Sequence, residues 1–327
     1  MYFFRFTAGI LSKTYHILTS RKQEQKWATH YVKQLEQQLG GQLDDFTFKK
    51  VVTSYAIYIP MMCDAFTLLR NRLTNNQEKE RMLHYFICSS LFDNFCDRAE
   101  LTADELYSIS FEPEVYQPRT FDEKLFLHSH RLLQAYVKDK TFYSEVTRQL
   151  YKAQEDSALQ FDKTVSNDVI AQITLDKGGY SVLLCHFYLD EQASPAEKHC
   201  WYQIGGIIQL TNDLYDIYKD IQEGSETLPN RMTDAHAFNH YFLGLVQNIK
   251  QEIAALPFSS KQKQAFTISM MGICSLGSMA LRQLMQLQGT AAILPPFSSL
   301  PRKALIIDME KPANLWYCIK TVYQQAK

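Results

Sequence analysis

Glycine and proline are scarce in this chain, 12 and 10 among 327 residues. With so few turn-formers there is no long flexible linker, and nothing marks off two separate cores. An excess of basic charge is also missing: 34 Lys and Arg are intermixed with 35 Asp and Glu, for a formal net charge of −1. That argues against a nucleic-acid partner, which needs a basic run or balance to contact phosphates. Nowhere do eighteen consecutive apolar residues occur, so no membrane span is expected. The seven cysteines (Cys63, Cys88, Cys96, Cys185, Cys200, Cys274 and Cys318) show neither CxxC nor Cys/His ligand spacing. Their odd number and scatter fit a reduced, cytoplasmic compartment. The opening MYFFRFTAGILSKTYHIL is broken by Arg5, Thr7, Ser12 and Lys13 and lacks a small-residue cleavage site, so no signal peptide is predicted. Residues 1–22 read either as an ordinary first helix or as a peripheral membrane contact, and a homodimer is left open.

What the chain has in quantity is aromatic and helix-forming side chains. It is 46% hydrophobic and 13% aromatic, with 20 Phe and 19 Tyr. Apolar residues recur mostly at three and four, and strict alternation is rare. The pattern predicts helices over 23–39, 46–74, 77–98, 102–109, 120–137, 140–156, 165–176, 179–190, 195–222, 233–255, 259–287 and 312–325. Breaks are predicted at Gly40-Gly41, 112–118, Gly178-Gly179, 223–230 and 294–301, with no internal repeat. The expectation is an all-α fold in a single helical domain spanning 1–327.

The stretch SSLFDNFCDRAE, residues 89–100, places Asp93 and Asp97 four apart at the end of an otherwise greasy helix. At 100° per residue, Met82, Leu83 and Phe86 fall on the same side as the two aspartates. Two carboxylates about 6 Å apart repel by roughly 3 kcal/mol at an effective dielectric near 20. If both are buried, one takes up a proton or a cation sits between them. The negative end of the helix dipole favours the cation, and Mg²⁺ suits such oxygen ligands. The bland alternative is a solvated last turn with Asp97 paired to Arg98 or another neighbour.

A second acidic group lies in GGIIQLTNDLYDIYKDIQEG, residues 205–224. Asn212, Asp216 and Asp220 share one helix face, with Asp213 at its edge and Trp201, Gly205 and Gln209 extending it toward the helix start. An amphipathic surface helix would look much the same. Taken together, two helices with oxygen ligands gathered in their C-terminal parts, running parallel, would place carboxylates at one end of an apolar cavity. That arrangement suits a substrate with an anionic head and a long apolar tail.

Asn212 to Asp220 resembles the second metal motif of class I terpene synthases, (N/D)Dxx(S/T)xxxE, with Asp216 in place of Ser or Thr and Asp220 in place of Glu. QLTNDLYDIYKD also resembles the QxTNxxRDxxED stretch of squalene and phytoene synthases at Gln209, Thr211, Asn212, Asp216 and Asp220, but Tyr215 and Lys219 replace its Arg and Glu. FDNFCDR resembles the first motif of the bacterial large-terpene synthases of the tetraprenyl-β-curcumene type, and DKGGYSVLL at 176–184 a Lys-Gly-Gly segment of the same group. The resemblance covers three short segments in the right order.

It implies an isoprenoid-synthase helical bundle around a central cavity. It further implies three Mg²⁺ ions gripping the diphosphate of an allylic prenyl substrate, whose C–O bond ionises to a carbocation. Asp93 and Asp97 would bind metal on one wall, and Asn212, Asp216 and Asp220 on the other, with Asp213 as a further ligand. Lys177 would contact the diphosphate, assisted by Arg98. Gly178-Gly179 would break the helix so that backbone approaches the reacting carbon. Phe86, Tyr180 and Trp201 would shield and stabilise the cation.

Head-to-head prenyl coupling is the nearest alternative, favoured by the QxTN match and disfavoured by Tyr215 and Lys219. Chain elongation lacks its DDxxD with a following basic pair, and class II cyclisation lacks its DxDD acid. From a different class comes a helical interaction protein that keeps such a fold without chemistry, against which the clustered repelling carboxylates argue.

Overall fold

Helices begin in this chain where a short polar side chain turns back onto the third amide beyond it. Asn75 with Glu78, Thr102 with Glu105, Ser194 with Glu197 and Ser259 with Gln262 each satisfy two otherwise orphaned N–H groups reciprocally. The computed structural model describes residues 2–308 and 311–326; among residues 2–14 it describes the backbone, with Gly9 and the side chain of Lys13. The fold is all-α, with no strand among the described residues. The apolar side chains behind the membrane expectation for 1–22 therefore lie largely outside the described residues; the backbone there belongs to one helix, α1 (Tyr2–Leu39), and does not start at 23.

The chain divides into two compact units. One comprises Ser12–Lys140 and Phe187–Asp190. After α1 it holds α2 (Asp45–Tyr58), α3 (Asp64–Leu68), α4 (Asn76–Asp97), α5 (Ala103–Phe111) and α6 (Phe121–Tyr136). The single helix predicted over 46–74 is interrupted by a π-turn at Ile59–Cys63 and stops at Leu68. Pro60 lacks the N–H an α-turn needs, and the ladder resumes one residue wider, with Asp64 N–H donating to Ile59 O. The middle of α4 is buried on every side, packed by α2 and α6.

Its buried charged groups survive burial because they are partnered. Glu78, fully buried, accepts both arms of Arg72 at 2.7 and 2.8 Å and the Asp190 N–H at 2.8 Å. Arg81 donates to Asp190 at 2.5 Å and to Tyr188 O at 2.8 Å, which ties 187–190 to this unit. Asp45–Leu68 is long and apolar enough to cross a membrane by length and composition, as is Ser260–Gln288 in the other unit, but each is 67% buried inside the protein.

The other unit comprises Met1–Leu11, Thr141–His186 and Glu191–Lys327. It contains α7 (Lys140–Asp156), α8 (Asn167–Leu184), α9 (Pro195–Glu223), α10 (Leu228–Arg231), α11 (Ala235–Ala255), α12 (Ser260–Gln288), α13 (Arg302–Leu305) and α14 (Pro312–Gln325). Antiparallel α8 and α9 form its closest pair, with Thr174 against Asp213 and Gly179 against Tyr202. The predicted break at Gly178-Gly179 is wrong: α8 runs straight through both. A Cβ on Gly178 would stand 2.2 Å from Gly205 O, and one on Gly205 2.2 Å from Gly178 O. The glycines let two backbones meet and do not end a helix.

Gly205→Val should therefore lower stability by about 3 kcal/mol, since no side chain can yield when the obstacle is backbone. Gly244→Ala, on exposed mid-helix surface with nothing within 4 Å, should raise it by about 0.5–1 kcal/mol. Urea denaturation midpoints of the two variants check both signs.

Candidate functional site

Contact with α8 decides which parts of α9 are covered. Trp201 and Gly205, on the face expected to lead to the acidic residues, are buried. Past them the face opens: Asn212 and Asp216 are exposed and Asp220 is partly so. Asp213, placed at the edge of the acidic face by helix phase, is the buried member. Its two oxygens accept from Gln209 Nε2 at 2.9 Å and Thr174 Oγ1 at 3.2 Å. Loss of hydration nevertheless pushes its carboxyl up to about 6, against those two bonds and the charge of Lys177.

Asp216 and Asp220 are less well compensated. Neither accepts a hydrogen bond or forms an ion pair among the described residues, and Lys219 instead reaches Glu223 at 3.8 Å. Lost hydration raises both carboxyls. For Asp220, repulsion from Asp213 and Asp216 adds to this and pushes it up to about 7. The C-terminal part of α9 is therefore an acidic face whose neighbouring cations, Lys219 and Arg302 (over the Tyr218 ring at 5.6 Å), bond neither carboxylate.

The α4 pair differs. Met82, Leu83 and Phe86 are buried, and the helix emerges only at its end, with Asp93 partly covered and Asp97 exposed. Lys50 of α2 stands 3.1 Å from Asp93 Oδ2. Asp97 has no hydrogen bond or ion pair among the described residues, and Arg98 does not serve it. Arg98 bonds Asp44, the α2 cap, at 3.3 Å, and Glu100 at 3.4 Å. Asp93 and Asp97 belong to one unit, and Asn212, Asp213, Asp216, Asp220 and Lys177 to the other.

The aromatic candidates sit in rings of their own kind. Phe86 packs edge-on or tilted against Tyr55, Tyr58 and Tyr85 at centroid distances of 5.3 to 6.4 Å. Tyr180 meets Tyr202 at 5.1 Å, and the Tyr202 hydroxyl donates to Asp176. Sequence reasoning missed Lys50 and Thr174. Lys50 carries no local signal, because its partner is 43 residues away. Thr174 could have been found one turn before Gly178, on the stripe facing α9.

Among the described residues, no three His, Cys, Asp or Glu side chains converge as a ready-made metal cage. The donor set still suits a hard cation that keeps waters and takes only one or two carboxylates from protein. Asp216 and Asp220 fit this requirement, since their oxygens are not already engaged, whereas both oxygens of Asp213 are occupied.

A carboxyl raised by folding binds protons in the native chain that the unfolded chain has released. Its contribution to stability therefore falls as pH climbs from about 4 to the folded value, about 7 for Asp220. Asp220→Asn should stabilise the protein at pH 8 more than at pH 5, by on the order of 1 kcal/mol after solvent screening. Denaturation at the two pH values checks it. Compared with known proteins, the chain matches no family model, and no curated protein matches it.

Proposed function

We propose that this chain is a Mg²⁺-dependent class I terpene synthase that ionises an allylic prenyl diphosphate, with a long-chain substrate as the sub-family reading. The observation that carries it is the acidic face at Asp216 and Asp220. Lost hydration raises both carboxyls, and Asp213 and Asp216 raise that of Asp220 further. Among the described residues no protein cation is bonded to either, although Lys219 opposes both shifts. An acidic face of this kind is stabilised by a divalent ion arriving with an anionic ligand. The motif resemblance around Asn212–Asp220 and Asp93–Asp97 supplies the substrate class.

When bound, Mg²⁺ would offset the charge on the departing diphosphate. Asp216 and Asp220, with Asn212, are the proposed ligands on α9, and Asp93 and Asp97 those on α4. Asp213 is assigned a holding role, keeping Gln209 and Thr174 in place. Lys177, whose charge acts on Asp213, is the proposed diphosphate contact. Tyr180 and Phe86 would exclude water from the cation, as aromatic faces attract it without attacking it.

Purified protein offered ten- to thirty-five-carbon prenyl diphosphates one at a time should give a Mg²⁺-dependent hydrocarbon or alcohol, read by mass spectrometry. Asp93→Asn and Asp216→Asn should each cut turnover by about 100-fold or more. No diphosphate release from any single substrate would contradict the reading. If both variants also gained stability and Mg²⁺ left the wild type unchanged, the non-catalytic interaction protein would replace it.

Lys50 generates a separate expectation. Its ammonium competes with a divalent ion for Asp93, so Lys50→Gln should bind Mn²⁺ severalfold more tightly in the absence of substrate. Titration followed by electron paramagnetic resonance reads this directly. Unchanged affinity would remove Asp93 from the ligand set.

A further inference from the structure

Helix α14 is fixed by one face and leaves the other bare. Cys318 Sγ donates to Ser275 O at 3.6 Å, and the Arg282 guanidinium lies 4.4 Å above the Tyr317 ring, so Cys318, Thr321 and Val322 turn inward onto α12. Leu315 is 44% exposed and Trp316 68% exposed. Lys320, one turn beyond Trp316, is exposed on the same side. Neighbouring Gln283 of α12 donates to Ala304 O at 2.6 Å and Ile306 O at 3.1 Å, which brings Ile306, 45% exposed, to the same end of α12 as Tyr317. Trp316 has no ring or hydrogen-bond partner among the described residues.

Along the C-terminal stretch of the chain charge has one prevailing sign, although Arg302 lies over Tyr218, next to the acidic residues of α9. Helix α14 contains no acidic residue, and Arg302, Lys303, Lys311 and Lys320 are all exposed. In the sequence from Gly289 onward the only acidic residues are Asp308 and Glu310, in a chain whose overall net charge is −1.

Ile306, Leu315 and Trp316 together expose on the order of 300 Å² of apolar surface, taking typical side-chain areas. A stable protein interface covers ~800 Å² per partner, somewhat over half of it apolar, so it needs roughly 450 Å² of apolar surface, more than these three residues supply. A bilayer surface makes no such demand. An indole is favoured at the headgroup level, and each nearby basic residue adds attraction to anionic lipid.

We propose that the outer face of α14, with Ile306, Leu315 and Trp316 as apolar anchors and Lys303, Lys311 and Lys320 around them, docks on an anionic lipid surface. The docking is peripheral, with the helix lying along the interface, and it does not depend on the chemistry proposed for the acidic residues.

The experiment is co-sedimentation of the full chain with phosphatidylcholine vesicles with and without phosphatidylglycerol, alongside tryptophan fluorescence. Trp201 is buried and Trp27, half-buried, packs at a tilt against Tyr31 and Tyr55, so a blue shift on binding that is lost in the Leu315→Ser/Trp316→Ser variant reports Trp316. Binding is expected only with the anionic vesicles and should fall as salt rises. Leu315→Ser/Trp316→Ser, at exposed positions that need not disturb folding, should weaken it by about tenfold, as should Lys303→Glu/Lys320→Glu. Three results would overturn the proposal: no binding to anionic vesicles, binding unaffected by both double variants, or equal binding to neutral vesicles. A concentration-dependent dimer in sedimentation velocity, abolished by Leu315→Ser/Trp316→Ser, would instead assign the face to a second copy of the chain.

Discussion

The backbone-to-backbone approach of α8 and α9 at Gly178 and Gly205 is the constraint from which the acidic face on α9 follows. With each glycine's missing Cβ filled by the other helix's carbonyl, no larger residue can stand at either position without moving a whole helix. The same approach sets Thr174 and Gln209 around Asp213, burying one carboxylate of the motif and satisfying it. Gly206 against Leu175 and Gly179 against Tyr202 extend the close seam to either side. On the other side of α9, Asn212 and Asp216 are exposed and Asp220 is partly so, while Leu214 and Ile217 stay buried.

The two acidic helix ends solve the same electrostatic problem differently. On α4 the more covered carboxylate, Asp93, has an ammonium at 3.1 Å, and the more exposed one, Asp97, has water. On α9 the carboxylates lie close enough in phase to repel, while Lys219 reaches Glu223 and Lys177 acts on Asp213. Repulsion between neighbouring carboxylates costs on the order of a few kcal/mol at protein dielectrics. Lost hydration first, and repulsion from Asp213 and Asp216 second, raise the Asp220 carboxyl; proton uptake would relieve part of that repulsion, and a divalent cation more.

Much of the helical layout was legible in the chain. The segments 77–98 and 195–222 correspond to Asn76–Asp97 and Pro195–Glu223, because capping boxes announce both starts and the apolar period runs unbroken between them. Gly178-Gly179 misled for a physical reason: local sequence cannot distinguish a glycine that ends a helix from one that admits a second helix. Pro60 was read through, although its missing N–H forces the π-turn. On the acidic motifs, helix phase grouped Asn212, Asp216 and Asp220 on one face but could not show that its earlier part, Trp201 and Gly205, is buried while these three are not. It could not reveal Lys50 beside Asp93 or Thr174 beside Asp213, since those partners come from other helices. Asp213, marked as peripheral by phase, is the one whose position is most tightly held.

The most direct test of the central claim is to count manganese ions bound per chain in the presence and absence of inorganic pyrophosphate, by electron paramagnetic resonance. The account predicts that pyrophosphate recruits more than one Mn²⁺, and that Asp97→Asn or Asp220→Asn alone reduces the number. Recruitment that is absent, or unchanged in both variants, would contradict it and leave the acidic helix ends without the ligand they are argued to need.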